Sequence, residues 1–424
     1  MAAAGSAVGL GNIWKFPYIA GENGGGAFLI VYLICVALFG MPLIMTEFLI
    51  GKRSGKSAFG AFRALSGTNR WNWLSWLCML TAFLIMGFYF VVTGWCFSYL
   101  YEAIVHVFSG LGTEELTDHF TQVVSDRPRM ILFSIVPVVL TAAVLWFDVN
   151  KGIERLSKVL MPLLLLMMLL MAGRVLMLDG SNIGMQFFLQ ADFSKITPKV
   201  IMEAMGQCFF SLSIGMGALI TYGAYMPKNQ NVTRTSVQVI FLDTMVALLA
   251  GLIIFPAVFA FGFDPAEGPQ LVFVVLPAVL QQMSFSWLSS VLFFALLCIA
   301  ALTSTISLME VAVAFVSEAS GGKLNRHKSV LIVSALVVVL CVMCVLLPVL
   351  FDYFDEITAC IMMPIGALGM ALFVGWSLPK NGEKGILHAD RGLKRWFKKI
   401  FIFMLRWIVP VAILVIFLNS LGLI

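Results

Sequence analysis

The sequence predicts an all-α membrane protein with about eleven transmembrane helices, arranged as a five-plus-five inverted repeat whose first and sixth helices are broken. Three observations lead there. The chain of 424 residues is 61% hydrophobic and only 12% charged, a balance of multi-span membrane proteins rather than soluble cores. Apolar runs of roughly 20 residues recur along it, the length that an α-helix needs to cross a bilayer. Two of these runs are interrupted by small and polar residues: Ala4-Gly5-Ser6-Ala7-Val8-Gly9-Leu10-Gly11-Asn12, and Phe209-Phe210-Ser211-Leu212-Ser213-Ile214-Gly215-Met216-Gly217. Glycine is a poor helix-interior residue, and carbonyls freed by a break cannot face lipid. They must turn into a protein-lined cavity, where they can bind a cation. The competing reading of the first run alone is a small-residue packing face. A second broken run in the other half of the chain favours a transporter binding site.

The elements follow in order from apolar length. The first span is broken and ends near Tyr18, the second covers Phe28 to Ile50, and the third Trp73 to Val105. A loop with Glu114, Glu115, Asp118 and Asp126 precedes the fourth, Met130 to Phe147, and the fifth, Val159 to Leu178. The sixth is broken and runs from Pro198 to Tyr222; the seventh runs from Val237 to Phe261. Val272 to Met283 is too short to cross and is expected to re-enter from one face. The eighth to eleventh spans are Trp287 to Val316, Val330 to Leu347, Glu356 to Trp376, and Ile400 to Leu421. The whole chain, 1–424, reads as one transmembrane domain, with repeats at 1–180 and 196–378 and an additional helix at 393–424.

Charge sets the orientation. Lys52, Arg53, Lys56, Arg63 and Arg70 lie in one loop, Lys151, Arg155 and Lys158 in another, Lys228 and Arg234 in a third, and Lys323, Arg326 and Lys328 in a fourth. The stretch 380–399 is basic as well, while the intervening loops hold most of the acids. Basic loops are cytoplasmic, so the amino terminus is expected inside and the two halves have opposite topology. The net charge of +5 belongs to these short loops and is no nucleic-acid signal. Met1-Ala2-Ala3-Ala4 has neither the basic region nor the cleavage pattern of a signal peptide. The eight cysteines fall in apolar segments and read as packing residues; the histidines are scattered, so no zinc site is expected.

The string Gly9-Leu10-Gly11-Asn12-Ile13-Trp14-Lys15-Phe16-Pro17-Tyr18 closely resembles the neurotransmitter:sodium symporter family. So do Glu22-Asn23-Gly24-Gly25-Gly26-Ala27-Phe28 and Lys151-Gly152-Ile153-Glu154-Arg155 with Met161-Pro162, and the likeness extends over nearly the whole chain. The resemblance implies the leucine-transporter-like fold of the bacterial amino-acid branch, with no enzymatic activity. It implies sodium-coupled symport with about two sodium ions, no organic cofactor, and an amino acid as substrate. Family members usually carry a further cytoplasmic segment ahead of this start, so the chain is expected to be truncated or its start misassigned. The alternative function is a truncated, non-transporting member or an amino-acid sensor.

The resemblance also implies residue roles. The first sodium site would use the Ala7 carbonyl, Asn12, Ser211 and Asp243. The second would use the Gly5, Val8 and Ala300 carbonyls with the hydroxyls of Thr303 and Ser304. These are mostly neutral oxygens, suited to a monovalent ion and too weakly charged for calcium. The competing reading of Thr303-Ser304-Thr305 is hydroxyls bonding back to their own helix. The substrate pocket would be Gly9, Ile85, Tyr89, Phe210, Ser213, Met216, Ser304 and Leu308, with Tyr89 on the substrate carboxylate. Lys15 would pair across an outer vestibule with Asp355, or else Asp352 or Glu356. Tyr225 and Glu318 match inner gate positions whose basic partner lies in the missing leader, and Glu47 would bond the broken backbone of the sixth span.

Two departures sharpen the reading. Monoamine-transporting relatives have an acid where this chain has Gly9, so the substrate must bring its own carboxylate. Asp243 stands where the family generally has Asn, and Ala247 where chloride-dependent members have Ser; Tyr32, Gln207 and Ser211 remain of their chloride site. An intramembrane carboxylate is a functional candidate by default, and Asp243 could supply the charge that chloride otherwise provides. The expectation is therefore a chloride-independent importer of a large hydrophobic or aromatic amino acid, since Met216 is flexible and can make room. It would lie in the bacterial inner membrane, in contact with lipid, as a monomer or weak homodimer.

Overall fold

The computed structural model of the chain describes residues 9–147, 150–227, 229–266, 268, 271–283, 285–321, 323–378 and 395–420. Gly5, Ala7, Val8 and Lys228 lie outside them, as do the basic stretch from 379 to 394 and the side chains of 150–160. Every regular element among the described residues is helical. Among the described residues, eight helices are long and apolar enough to cross a membrane.

Helix α1 opens with a π-turn, Gly11–Lys15, and continues as Phe16–Glu22. The long helix α2 (Gly26–Ser54) follows, then a short α3 (Ala58–Ser66) and α4 (Asn72–Ile104). A surface helix α5 (Thr113–Ser125) leads to α6 (Arg127–Trp146), α7 (Asn150–Val175) and α8 (Ser181–Leu189). The sixth span is two pieces, α9 (Pro198–Ser211) and α10 (Ala218–Tyr225), separated by the non-helical run 212–217. Then come α11 (Val232–Phe261), the short α12 (Leu271–Gln281), α13 (Ser286–Ala319), α14 (Arg326–Leu346) and α15 (Pro348–Ser377). The last, α16, runs through Arg395–Phe403, Met404–Ile408 and Val409–Ser420.

The sequence expected loops at α3, α5 and α8, and each is a helix. All three are too short to cross and end on punctuation that apolar length ignores. Ser57 caps α3 by accepting the Phe59 N–H at 3.3 Å, and Gly67 closes it in the left-handed region at φ 69°. Polar side chains then pin the surface helices to the spans. The buried Glu102 carboxylate at the end of α4 receives the Arg129 guanidinium from α6 and lies 3.0 Å from His119 Nε2 on α5.

Two faces can be distinguished. One carries α5, α8, α12 and the Lys15–Asp355 pair, and is called here the acidic face. The other carries α3, Lys52, Lys56 and Arg326, and is called the basic face. Between them, α2 and α10 touch backbone to backbone: a Cβ on Gly51 would collide with the Ile220 carbonyl, and one on Gly223 would lie 2.5 Å from the Phe48 carbonyl. Small residues allow such close approach, which is how helices associate where burial from water supplies no drive.

Candidate functional site

The interruption of the sixth span follows from its residues. Ser213 holds φ at 56°, and Gly215 and Gly217 hold φ at 91° and 76°, a region that glycine enters without penalty. The freed backbone finds partners within the protein, as it must at membrane depth. The Gly215 N–H donates to Glu47 Oε1 at 2.7 Å, and the N–H groups of Leu219 and Ile220 face the same carboxylate. Glu47 thus terminates the start of α10, where helical N–H groups have no partner of their own. Gly215 and Gly366 of α15 need their missing side chains to pack: a Cβ on Gly366 would stand 2.5 Å from the Gly215 carbonyl.

Opposite this break stands Gly9, at the start of the described chain. A Cβ on it would collide with Ser304 Oγ on α13 and lie 3.3 Å from the Tyr89 hydroxyl on α4. Gly9, Ile85, Tyr89, Phe210, Ser213, Met216, Ser304 and Leu308 all line one recess of about 430 Å³ of empty space, together with Gly11, Ser211, Ala218 and Ser307. No carboxylate or ammonium is among these lining residues.

Beside the recess, Asn12, Ser211, Asp243 and Tyr32 form one buried polar cluster. The Asn12 amide donates to Ser211 Oγ at 3.1 Å and to Asp243 Oδ1 at 2.8 Å. Ser211 donates to the same carboxylate oxygen at 2.6 Å, and the Tyr32 hydroxyl to Oδ2 at 3.3 Å. Asn12 Oδ1 accepts the Gly9 N–H at 3.3 Å, so the amide oxygen faces its own chain and the amide nitrogen faces the carboxylate. On α13 the Thr303 and Ser304 hydroxyls donate to the Ala300 carbonyl at 2.8 and 3.4 Å, the back-bonding common in membrane helices.

Toward the acidic face the recess is covered by Phe210. Its ring packs on Phe88 with centroids 6.1 Å apart, and the Lys15 ammonium sits 4.3 Å from its centroid. Lys15 forms an ion pair with Asp355, whose other oxygen accepts the Tyr18 hydroxyl at 3.0 Å. Above lies a vestibule of about 1580 Å³ of empty space, bordered by Glu22, Glu203, Asp352 and Glu356.

Toward the basic face, Tyr222 and Tyr225 project from α10 at three-residue spacing and meet Ser307 and Glu310 on α13 at the same spacing. The Tyr222–Ser307 hydroxyls are 2.5 Å apart, and Tyr225 donates to Glu310 at 3.1 Å. Arg326 grips Glu310 with two nitrogens, at 3.0 and 2.7 Å, the bidentate form that makes such pairs specific. Tyr225 therefore pairs with Glu310 and not with Glu318. Among the described residues, Arg326 pairs with Glu310 and Lys56 with Glu318. Ser307, Glu310 and Arg326 were not singled out in the sequence; matched i,i+3 polar pairs on two apolar helices were the available signal.

Residues 1–118 and 112–423 match the profile described as the sodium:neurotransmitter symporter family. The chain belongs to the sodium:neurotransmitter symporter family. Symporters of this family are secondary transporters and not enzymes, and the chain is an integral membrane protein that uses sodium. Among similar family members is an uncharacterized sodium-dependent transporter, YhdH, of Bacillus subtilis, 37% identical over 100% of this chain and 96% of its own length. One from Haemophilus influenzae is 34% identical, covering 99% of this chain and 96% of that protein. A solved structure of MhsT in complex with L-phenylalanine superposes with a TM-score of 0.94 at 37% identity, over 99% of this chain and 97% of that one. The fold is thus shared over nearly the whole length of both chains.

Proposed function

We propose that the chain is a sodium-coupled symporter that imports a neutral amino acid with a large hydrophobic or aromatic side chain by alternating access. The observation that carries this reading is the recess between Gly9–Gly11 and the 212–217 break, lined by apolar side chains and hydroxyls and by no charged group. A substrate held there must bring both of its charges. The Tyr89 hydroxyl would donate to its carboxylate, and the start of α1 would present N–H groups to it. The side chain would lie against Ile85, Phe210, Met216 and Leu308. The complex of MhsT with L-phenylalanine supports an aromatic or large aliphatic occupant.

Asn12, Ser211, Asp243 and the Ala7 carbonyl would hold one sodium, and a half-turn of the Asn12 amide brings its oxygen to that ion. The carbonyls of Gly5, Val8 and Ala300 with Thr303 and Ser304 would hold a second. Bringing positive charge into a low-dielectric site is costly unless it is paired. The carboxylate of Asp243 beside Ala247 provides that pairing without an added anion, so transport is chloride-independent. Lys15–Asp355, with Phe210 beneath it, closes the outer side; Tyr225, Glu310 and Glu318 close the inner one. The basic face is cytoplasmic, with the amino terminus inside and the repeats at 1–180 and 196–378 facing opposite ways in a bacterial inner membrane. The working unit is a monomer or weak homodimer.

The test is uptake of labelled L-leucine and L-phenylalanine into proteoliposomes, with sodium or potassium outside. Uptake that is equal in both salts removes sodium coupling. A competition in which glycine or proline displaces the label better than leucine and tryptophan removes the large-substrate reading. Loss of uptake when gluconate replaces chloride removes the role given to Asp243.

A further inference from the structure

The surroundings of Glu318 on α13 go beyond a gate residue. Its carboxylate enters a socket built where the chain enters α3. The Ser57 N–H donates to Oε2 at 3.2 Å, and the Ser57 hydroxyl donates to the same oxygen. The Lys56 ammonium lies 3.5 Å from Oε1. One turn into α3, Gly60 leaves the space that the carboxylate occupies, since a Cβ there would collide with Oε1. The apolar half of the same joint lies one turn back along α13. Phe315 meets Phe59 edge to face at 4.9 Å and Trp76 of α4 at 5.1 Å. The Ser75 hydroxyl on α4 donates to the Phe59 carbonyl at 3.1 Å. Polar and apolar contacts together fix α3 to α13 and α4.

The link from α3 to α2 is of another kind. It passes through Gly55, at φ 61°, and nothing lies within 4 Å of where its Cβ would be. Helix α2 is locked to α10 by the backbone contacts at Gly51 and Gly223 described above. The socket itself forms one wall of a basic-face cavity of about 780 Å³ of empty space, whose other wall is Thr221, Ala224 and Tyr225 of α10. Opening that cavity separates α10, and with it α2, from α13. On the basic face the chain passes from α2 to α3, and on to α4, through the Gly55–Lys56 link beside the socket.

We propose that Lys56, Ser57 and Gly60 are positioning residues of the transport cycle: by seating Glu318 they keep α3 with α13 and α4, and Gly55 is the hinge about which the α2–α10 unit swings to open the basic face. This rests on the transporter reading. A hinge of this type is a small residue at an element end that absorbs the backbone change, with the rigid parts on either side held by packing. Emptying the socket frees α3, so that the closed basic face loses its brace and opens more often.

The experiment places a cysteine at Thr221, on the cavity wall opposite the socket, in the full chain in proteoliposomes, and follows its labelling by a water-soluble maleimide. The cysteine-unsubstituted chain serves as background. Ser57→Ala and Gly60→Ala are expected to raise the labelling rate roughly threefold to tenfold, the scale of one net hydrogen bond. Lys56→Ala is expected to raise it less and Lys56→Arg to restore it. Gly55→Ala is expected to slow L-leucine turnover with KM unchanged. Unchanged labelling in both Ser57→Ala and Gly60→Ala overturns the proposal. So does a Gly55→Ala chain that labels and turns over as the parent does. If Gly60→Ala does not fold, Ser57→Ala and Lys56→Ala decide. Labelling does not depend on uptake: a parent chain that carries neither leucine nor phenylalanine sinks the substrate reading, while the rates still judge the socket.

Discussion

At Gly9 the absence of a side chain is a steric requirement. A Cβ there collides with Ser304 Oγ and crowds the Tyr89 hydroxyl at 3.3 Å, so Gly9→Ala must turn Ser304 away from the recess. Rotating one serine is cheap for the fold but removes an oxygen from the second of the proposed sodium sites. Gly9→Ala is expected to weaken sodium-dependent L-leucine binding at least about tenfold, or roughly 1.4 kcal/mol, with an unchanged melting temperature; scintillation-proximity binding and a thermal melt check the two halves. Glu47 is the opposite case, a buried side chain needed for the backbone. Glu47→Ala leaves the Gly215 N–H without its 2.7 Å acceptor, at a cost of about 1–3 kcal/mol. It should lower the melting temperature in detergent clearly more than Glu47→Gln, which keeps an acceptor oxygen. Single residues of this kind were readable in the sequence because the string around Gly9 and the Ser-Gly run around Gly215 are unusual in an apolar span. Glu310 was not, since an isolated acid in a helix gives no sign that Arg326 of the next element will return to grip it.

Among elements, the spans were legible from apolar length, and most helices began one to nine residues ahead of the predicted start. Prediction placed the tenth span from Glu356, whereas α15 starts at Pro348: the first turns carry Asp352 and Asp355, whose charge breaks an apolar count although they face the vestibule. Helices α3, α5 and α8 were missed for a related reason. They are held by caps and by contacts to spans distant in sequence, and neither is a periodic signal. Helix α8 shows how tightly such a piece can be fitted. A Cβ on Gly251 of α11 would collide with the fully buried Phe188 ring, and the Gly184 backbone lies against Phe255 and Pro256. Gly251→Ala is therefore expected to destabilise the protein by about 1–3 kcal/mol through overpacking. A melt of the purified chain measures this, and pairing the change with Phe188→Leu should recover most of the loss.

For the whole molecule, the recess lies between a vestibule on one face and a cavity on the other, with ion pairs closed on both sides. In this arrangement α1, the 212–217 break, α4 and α13 all meet at one place, and each contributes a group to the proposed ion and substrate sites. Ligands bound there link the elements together and must stabilise the fold by mass action. Replacing potassium with sodium at a hundred times its dissociation constant is expected to stabilise the chain by about 2.7 kcal/mol. Adding L-leucine should raise the melting temperature further in sodium than in potassium. A melt indifferent to the choice of cation would argue that the Asn12–Ser211–Asp243 cluster is purely structural. Coupling of this sort could be inferred from the sequence only in outline, because it depends on residues 9–12, 209–217, 243 and 300–304 converging from four separate helices.

The burial of Lys15 has a practical consequence. Its side chain is 2% exposed beneath the Asp355 pair, whereas that of Lys199 at the mouth of the same vestibule is 76% exposed. An amine-acylating reagent added from the acidic side should modify Lys199 at any time and Lys15 only during moments when the cover lifts. The ratio of the two adducts, read by mass spectrometry of the unmutated chain, is then an intrinsic footprint of how long the molecule spends open to that side. Acylation at Lys15 that keeps pace with Lys199 in the presence of sodium and leucine would mean that the cover does not shut over its cargo.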